Sequence, residues 1–508
     1  MKTSISHLLS FKKSGNCIFA VFGFFIILLF TRNSGIGISP DSIVYLSVAR
    51  NMVANGSFVD YNLQPLVDFP VLFPFFLSVS SFLTRADPVV LAPYLNGIIF
   101  ALCIFLTGYL IDLADIRTSI YKYMLLFCLV LSPALMDIYT MLWSETLFIV
   151  FTLFFLIAFH NYQGNRSLLW LLCCAAIAGL AAVTRYAGIT VIATGMMLLF
   201  FDPSLKFRKK TLHFILFTFV SSAFLAANLL RNSLITGLMT GPRESGITSL
   251  FANINFYTNV VSSWLSIPAQ HLTFCTVIVV TICFTMVILF LRSAVINKKY
   301  ATVPNTFRAF FVVYTIFIIG ISTLSHFEQI NNRLLSPLII PLMVILTYWL
   351  PGYMARLKGK TKTTAVVFLS LIVVCFELVQ LEQLYKEYKE DSTYGIPGYT
   401  DLSWQQSHLA KFLKSHPGAL NKHYSIYSNA HEAAYFNGGL QASSIPHQID
   451  KADIQDFFND NGQYLIWFHH VDDRELITLS QISAHATVTK KYDFKDGAIY
   501  FIIPHHTN

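Results

Sequence analysis

The chain has 508 residues, 55% of them hydrophobic and only 12% charged, with 46 Phe and a formal net charge of +8. Soluble domains carry about twice that charged fraction, so a soluble globular protein is excluded and the long Phe, Leu, Ile and Val runs require lipid as their solvent. All eight cysteines (Cys17, Cys103, Cys128, Cys173, Cys174, Cys275, Cys283, Cys375) lie in or at the edge of apolar runs, which excludes a disulfide framework in the polar C-terminal stretch.

Lys12 and Lys13 precede a first apolar run at 17–31 with no small-residue cleavage site after it, which reads as an uncleaved first span. The next stretch, Ser39 to Gly56, is predicted as one short helix. Ser39 can cap its first N–H groups, Pro40 fits the first helical position, Asp41 sits in the opening turn, and Gly56 supplies a left-handed exit. Further apolar runs fall near 70–84, 89–111, 121–140, 145–160, 168–184, 187–201, 211–230, 268–291, 309–325, 334–350 and 364–381.

Charge decides which runs cross. Basic residues collect at Lys12/Lys13, Arg117/Lys122, Arg166, Lys206/Arg208/Lys209/Lys210, Arg292/Lys298/Lys299/Arg308 and Arg356/Lys358/Lys360/Lys362. All of them fall on the cytoplasmic side if 70–84 lies along the membrane surface. Pro70, Pro74 and a length short of the roughly 20 residues a span needs agree with that placement. The expectation is an α-helical polytopic protein of the inner membrane with about eleven transmembrane helices, its N-terminus cytoplasmic. A membrane module over 1–381 carries a first external loop at 32–88, and 382–508 forms a small extracytoplasmic α/β domain. Within that domain Leu409–Ser415, Asp453–Asn459 and Glu475–Ile482 read as helices. Tyr424–Tyr427 and Tyr464–Phe468 read as strands, and Thr487–Ile503 as a hairpin turned at Lys495-Asp496-Gly497.

The runs Leu168–Ala182 and Ile189–Phe201 rise only about 20 Å each, against a hydrocarbon core of roughly 30 Å. The turn Thr184-Arg185-Tyr186-Ala187-Gly188 is therefore expected below the outer surface, and the same holds for Asp137 to Glu145. Backbone turns at that depth need protein or a wet cavity around them. The expectation is a sunken, outward-opening cavity floored by Asp137, Glu145 and Arg185 and roofed by the Asp41 loop.

Asp41 either complements its helix macrodipole or is the carboxylate that takes a proton when a group is transferred to a hydroxyl or amide. Glu145 either belongs to the cap region of the next span, after Ser144, or is a second carboxylate that orients an acceptor or a cation, with Asp137 as its competitor. Arg185, Arg231 and Arg333 are positive on the side where the charge rule disfavours them. They either snorkel to headgroups or capture a lipid-linked phosphate, for which a planar guanidinium gives bidentate contacts. Arg333 stands near His326 and Glu328. Arg243 and Glu244 form a solvated loop pair or a closing flap. His431-Glu432 and His469-His470 lack metal-ligand spacing. No Walker, Rossmann or nucleic-acid signature occurs.

These pieces, in this order, resemble the GT-C superfamily of integral-membrane glycosyltransferases, in the branch with protein O-mannosyltransferases and lipid A aminoarabinose transferases. The likeness lies in Asp41-Ser42-x-x-Tyr45-Leu46-x-x-Ala49, Phe69-Pro70 to Phe73-Pro74, Ser144-Glu145-Thr146-Leu147 and Thr184-Arg185-Tyr186-Ala187-Gly188. Arg231-Asn232 with Gly237, and Arg333-Leu334-Leu335-x-Pro337, complete it. The resemblance implies inverting transfer of a sugar from a polyprenyl-phosphate donor to a glycan, lipid or protein acceptor on the non-cytoplasmic face. It implies Asp41 as base or acceptor-positioner; the expectation is Asp41 as base with Glu145 assisting, and Tyr45, Arg185, Arg231, Arg333 and His326 on the donor. It implies no nucleotide-sugar; the sequence itself leaves a divalent cation open and gives no nucleic-acid partner. Ser42 stands where the family often has a second acid, and Asp68-Phe69-Pro70 replaces the Lys-Pro-Pro of aminoarabinose transferases. A transporter, flippase or polymerase for lipid-linked saccharides is the alternative.

Overall fold

The computed structural model describes residues 2–114, 119–241, 245–267, 272–296, 300–325, 328–421 and 423–505. Packing groups the chain into two compact units that do not follow chain order. One comprises Met1–Arg32, Leu66–Phe76 and Val90–Lys389, the other Asn33–Pro65, Leu77–Val89 and Glu390–Asn508.

The first unit is helical. Among the described residues seven helices are long and apolar enough to cross a membrane: Pro88–Leu113, Glu145–Asn165, Phe207–Thr236, Thr273–Val295, Val303–Leu324, Asn332–Met354 and Gly359–Tyr394. The pair Ser119–Val130 and Pro133–Tyr139 is an eighth if counted as one span, bent by 54°. The break falls where Pro133 forces Ser132 out of the α region (ψ 116°), so the expected run 121–140 does not continue straight. Gly15–Thr31, Leu72–Thr84, Leu168–Thr184 and Tyr186–Phe200 are apolar but shorter.

Two elements differ from the sequence reading. The stretch between the apolar runs 211–230 and 268–291, read as an external loop, contains a helix, Leu250–Trp264, which buries Asn253, Tyr257, Val261 and Trp264 on one face. Its polar core-facing residues depress hydropathy, which hid it from a search for apolar runs. The last span reads 364–381 from hydropathy, but the helix runs Gly359–Tyr394, about 54 Å at 1.5 Å per residue. The junction expected at 381/382 thus falls inside a helix.

Small residues set the helix spacing in this unit. A Cβ on Gly179 would stand 3.0 Å from the Ser221 carbonyl oxygen, so the Leu168–Thr184 and Phe207–Thr236 helices meet backbone to backbone there.

The second unit is built on a five-stranded sheet. Its strands are β1 (Ser425–Ser428), β2 (Ser443–Ser444), β3 (Gln463–Phe468), β4 (Ala486–Phe494) and β5 (Gly497–Pro504), in the order β2-β1-β3-β5-β4. β1 runs parallel to β2 and β3, and β5 is antiparallel to β3 and β4. The β4–β5 hairpin turns at Lys495-Asp496, as read from the sequence, and exposed Lys490 and Lys491 on β4 guard the sheet edge. Helices His408–Ser415, Lys451–Phe457 and Leu479–His485 also stand within a few residues of their expected positions.

The Pro40–Asn55 helix belongs to this unit and has both predicted ends: a reciprocal Ser39/Ser42 capping box and Gly56 at φ 70°. It is tied down locally, with the Asn51 amide donating to the Val59 and Asp60 carbonyls at 2.9 Å each and Arg50 forking onto Asp87 at 2.8 and 3.1 Å. Long-range bonds fasten the same loop to the C-terminal residues. Thr400 donates to the Ile36 carbonyl (2.9 Å), the Tyr399 amide to Ile38 (2.8 Å), Asn62 to Ala442 (3.0 Å) and Gln441 to Tyr61. Tyr61 stacks on Tyr435 with ring centres 4.7 Å apart.

Candidate functional site

The helical unit concentrates its out-of-place charges at one point. Glu145 opens the Glu145–Asn165 helix and is 1% exposed. Its Oε1 takes both Arg185 Nη1 and Arg333 Nε at 2.5 Å. Each guanidinium has a second support. Arg185 Nη1 donates to Ser144 Oγ (3.1 Å), and Arg333 lies 4.6 Å from the centre of the Trp143 ring, a cation–π distance. Glu328 stands 3.7 Å from Arg333 Nη1 and is half-exposed. Among the described residues Glu145 Oε2 and Arg185 Nε, both buried, lack a hydrogen-bond partner.

Local backbone explains how Arg185 reaches this point. The Leu168–Thr184 helix stops at Arg185, which takes an extended conformation (φ −145°, ψ 141°) before the single turn Tyr186–Gly188. Gly188 makes that turn possible, because a Cβ there would lie 2.3 Å from the carbonyl carbon and oxygen of Ala181. Arg333 is placed by Asn331, whose side chain caps the Leu334 N–H at 3.0 Å. Asn332 braces the same turn. Its amide donates to Asp137 Oδ2 (2.7 Å) and to the Ala134 carbonyl (3.0 Å), and it accepts from Trp264 Nε1 (2.8 Å).

Tyr314, midway along the Val303–Leu324 helix, donates to the carbonyl of Leu334, next to Arg333, at 2.8 Å and ties the Arg333 turn to that helix.

Of the residues singled out in the sequence, Glu145, Arg185 and Arg333 come together, and Asp137 joins them through Asn332. Asp137 is exposed where Glu145 is sealed. Arg231 makes a different set of contacts. It donates to the Leu66 carbonyl and to Asn232 Oδ1 (3.0 Å). Asn232, fully buried, donates to Val67 O (3.3 Å), Tyr186 Oη (3.1 Å) and Met239 O (2.8 Å), while Tyr186 itself donates to Val67 O (2.9 Å). This network staples the Leu66–Val67 backbone to the arginine-bearing turn. Asp41 and Tyr45 lie on the Pro40–Asn55 helix of the other unit, Tyr45 2% exposed. Arg243, Glu244 and His326 lie outside the described residues. Sequence reasoning missed Trp264 and Asn332, and named Asn232 only as part of the Arg231-Asn232 motif, without a role. Asn332 carried one signal, an amide beside an arginine at the start of a span.

Chemically, two fixed guanidinium groups share one oxygen of a sealed carboxylate, with half-exposed Glu328 3.7 Å from Arg333, and they present several donor N–H groups. That arrangement suits an anion with several acceptor oxygens. Among the described residues no group of three or more His, Cys, Asp or Glu side chains converges as a metal site would require.

No protein-family model and no curated protein sequence matches the chain. Solved structures do. ArnT from Cupriavidus metallidurans in the apo state aligns over 98% of both chains at TM-score 0.56 and 13% identity. The same protein bound to undecaprenyl phosphate aligns over 95% of this chain and 96% of its own, at TM-score 0.55 and 12% identity. The oligosaccharyltransferase AglB from Archaeoglobus fulgidus, in complex with an inhibitory peptide and a dolichol-phosphate, aligns over 90% of this chain and 70% of its own. Its TM-score is 0.55 and its identity 10%. The chain thus shares the fold of ArnT and AglB, with a multi-pass helical part and a small C-terminal sheet region. The resemblance read from the Asp41, Arg185 and Arg333 motifs holds at the level of that fold.

Proposed function

We propose that the protein is an inverting membrane glycosyltransferase that moves a sugar from a polyprenyl-phosphate donor to a glycan, lipid or protein acceptor on the non-cytoplasmic face. The observation that carries this reading is the pair Arg185 and Arg333 on a single oxygen of buried Glu145, in a chain with the fold of enzymes solved with undecaprenyl phosphate and dolichol-phosphate bound. Eleven crossings follow if the bent pair counts as one span and three of the four shorter helices, Gly15–Thr31, Leu168–Thr184 and Tyr186–Phe200, also span, with the N-terminus cytoplasmic and the C-terminal sheet outside.

In this reading the acceptor oxygen or nitrogen attacks the anomeric carbon from the face opposite the phosphate. The bond from that carbon to the phosphate oxygen breaks, and the phosphate leaves with the electron pair. Arg185 and Arg333 meet the charge that develops on it, the kind of preorganised electrostatic help that is usually the largest catalytic contribution. Asp41 takes the proton released by the acceptor. Glu145 is a positioning residue: buried and shared by both cations, it holds them apart at a fixed spacing. Asp137, exposed and held by Asn332, is the carboxylate available to an acceptor.

Asp41→Asn tests the base. With a polyprenyl-phosphate sugar in proteoliposomes, transfer is expected to fall by about 10²–10⁴-fold while the thermal unfolding midpoint stays put. Undiminished transfer in the folded variant removes Asp41 from that role. Movement of the lipid-linked sugar across the bilayer without bond formation would favour the transporter alternative.

A further inference from the structure

Several buried or partly buried basic side chains of the helical unit are neutralised by a carboxylate. Lys122 clasps both oxygens of Asp112 (3.0 and 3.1 Å), Arg166 pairs with Asp202 (2.6 Å), and Arg185 and Arg333 share Glu145. Arg308 has no such counter-ion among the described residues. It is 6% exposed, in the second turn of the Val303–Leu324 span. Its Nη2 donates to Tyr348 Oη at 2.5 Å, and its guanidinium carbon lies 5.1 Å from the Tyr348 ring centre. Its Nε is buried without a partner. A phenol and a ring face stabilise a cation but do not neutralise it, and an uncompensated charge at membrane depth is costly and marks a binding function by default.

We infer that Arg308 and Tyr348 form a second anion site, which takes the phosphate of an anionic glycerophospholipid. The surroundings specify a lipid source. Trp349 and Tyr353, directly after Tyr348, are each 51% exposed and in edge-to-face contact at 5.9 Å, the aromatic pair expected where a helix crosses the headgroup layer. The site is distinct from the Glu145 cluster, since Tyr348 lies roughly 20 Å along the Asn332–Met354 segment from Leu334. A headgroup phosphate seated there supplies the missing negative charge, with Arg308 as fork and Tyr348 as an additional hydroxyl. The inference rests on the membrane reading of the helices and not on the transferase reading.

The test is lipid retention by the full-length protein released from nanodiscs of phosphatidylglycerol and phosphatidylcholine, read by native mass spectrometry. Wild type is expected to retain phosphatidylglycerol in preference to phosphatidylcholine. Arg308→Gln should reduce that retention at least about tenfold, Arg308→Lys should recover part of it, and Lys360→Gln, at an exposed site, should leave it unchanged. Tyr348→Phe, which removes one oxygen, serves if Arg308→Gln fails to fold, and should lower retention by a smaller factor. Equal retention by wild type and the Arg308 or Tyr348 variants overturns the site. Millimolar inorganic phosphate raising the wild-type unfolding midpoint as much as phosphatidylglycerol does overturns the lipid source.

Discussion

Glu145→Gln is expected to reduce sugar transfer by about 10²–10³-fold and to cost about 3–5 kcal/mol of stability, the range found when one partner of a buried ion pair is removed. Two guanidinium groups depend on one oxygen of this side chain, at 2.5 Å each. The amide keeps the shape but withdraws the negative charge from both, so Arg185 and Arg333 repel one another in a recess that water screens poorly. Both readouts should therefore move together. A role in proton transfer alone would lower turnover and leave the unfolding midpoint untouched, so parallel thermal melts and transfer assays separate the two. Glu145→Asp should not rescue, since the shorter arm cannot reach both cations from the same helix position.

Gly188→Ala is the second large effect, although it adds only a methyl group. That methyl would lie 2.3 Å from the Ala181 carbonyl and 2.4 Å from the Ala182 nitrogen. These are backbone atoms of the adjoining helix, which cannot rotate aside as a side chain can. The turn has to open, at a cost of about 1–3 kcal/mol as for other overpacked sites. Arg185 sits at the start of that turn, so its guanidinium moves with it. Misplacement on the order of 1 Å at a reacting centre costs about 10²-fold in rate. Gly164→Ala is the control, because nothing lies within 4 Å of the added methyl. It should leave transfer unchanged while Gly188→Ala lowers both transfer and stability.

What was legible in the sequence was whatever the physics of single segments decides. The Ser39–Gly56 helix announced both ends because capping is local. The Thr487–Ile503 hairpin announced its turn for the same reason. Glu145, Arg185 and Arg333 were legible as charges where charge is expensive, and that expense is what brings them together. The Leu250–Trp264 helix was not legible, since it buries asparagine, threonine and serine on its inner face and reads as a polar loop. The grouping of Asn33–Pro65 with the C-terminal residues was invisible too. Its ties, such as Thr400 to Ile36 and Asn62 to Ala442, end on backbone carbonyls, which every residue has. The roles of Asn232 and Asn332 were not legible because an asparagine becomes informative only once its partners, four for Asn232 and three for Asn332, are in place. Arg231 was grouped with the donor-binding arginines on its charge and on the Arg231-Asn232 motif. In the structure its Nη1 bonds the Leu66 carbonyl and Asn232, so its variants should disturb that staple.

The claim on which the transferase reading turns is that Arg185 and Arg333 hold a lipid-linked phosphate. The direct measurement is equilibrium binding of undecaprenyl phosphate to the detergent-solubilised full chain, wild type against Arg185→Gln and Arg333→Gln. Charge-assisted hydrogen bonds are worth about 1.5–3 kcal/mol each, so each variant should bind roughly 10–100-fold more weakly while still melting cooperatively. Unchanged affinity in both folded variants would contradict the account.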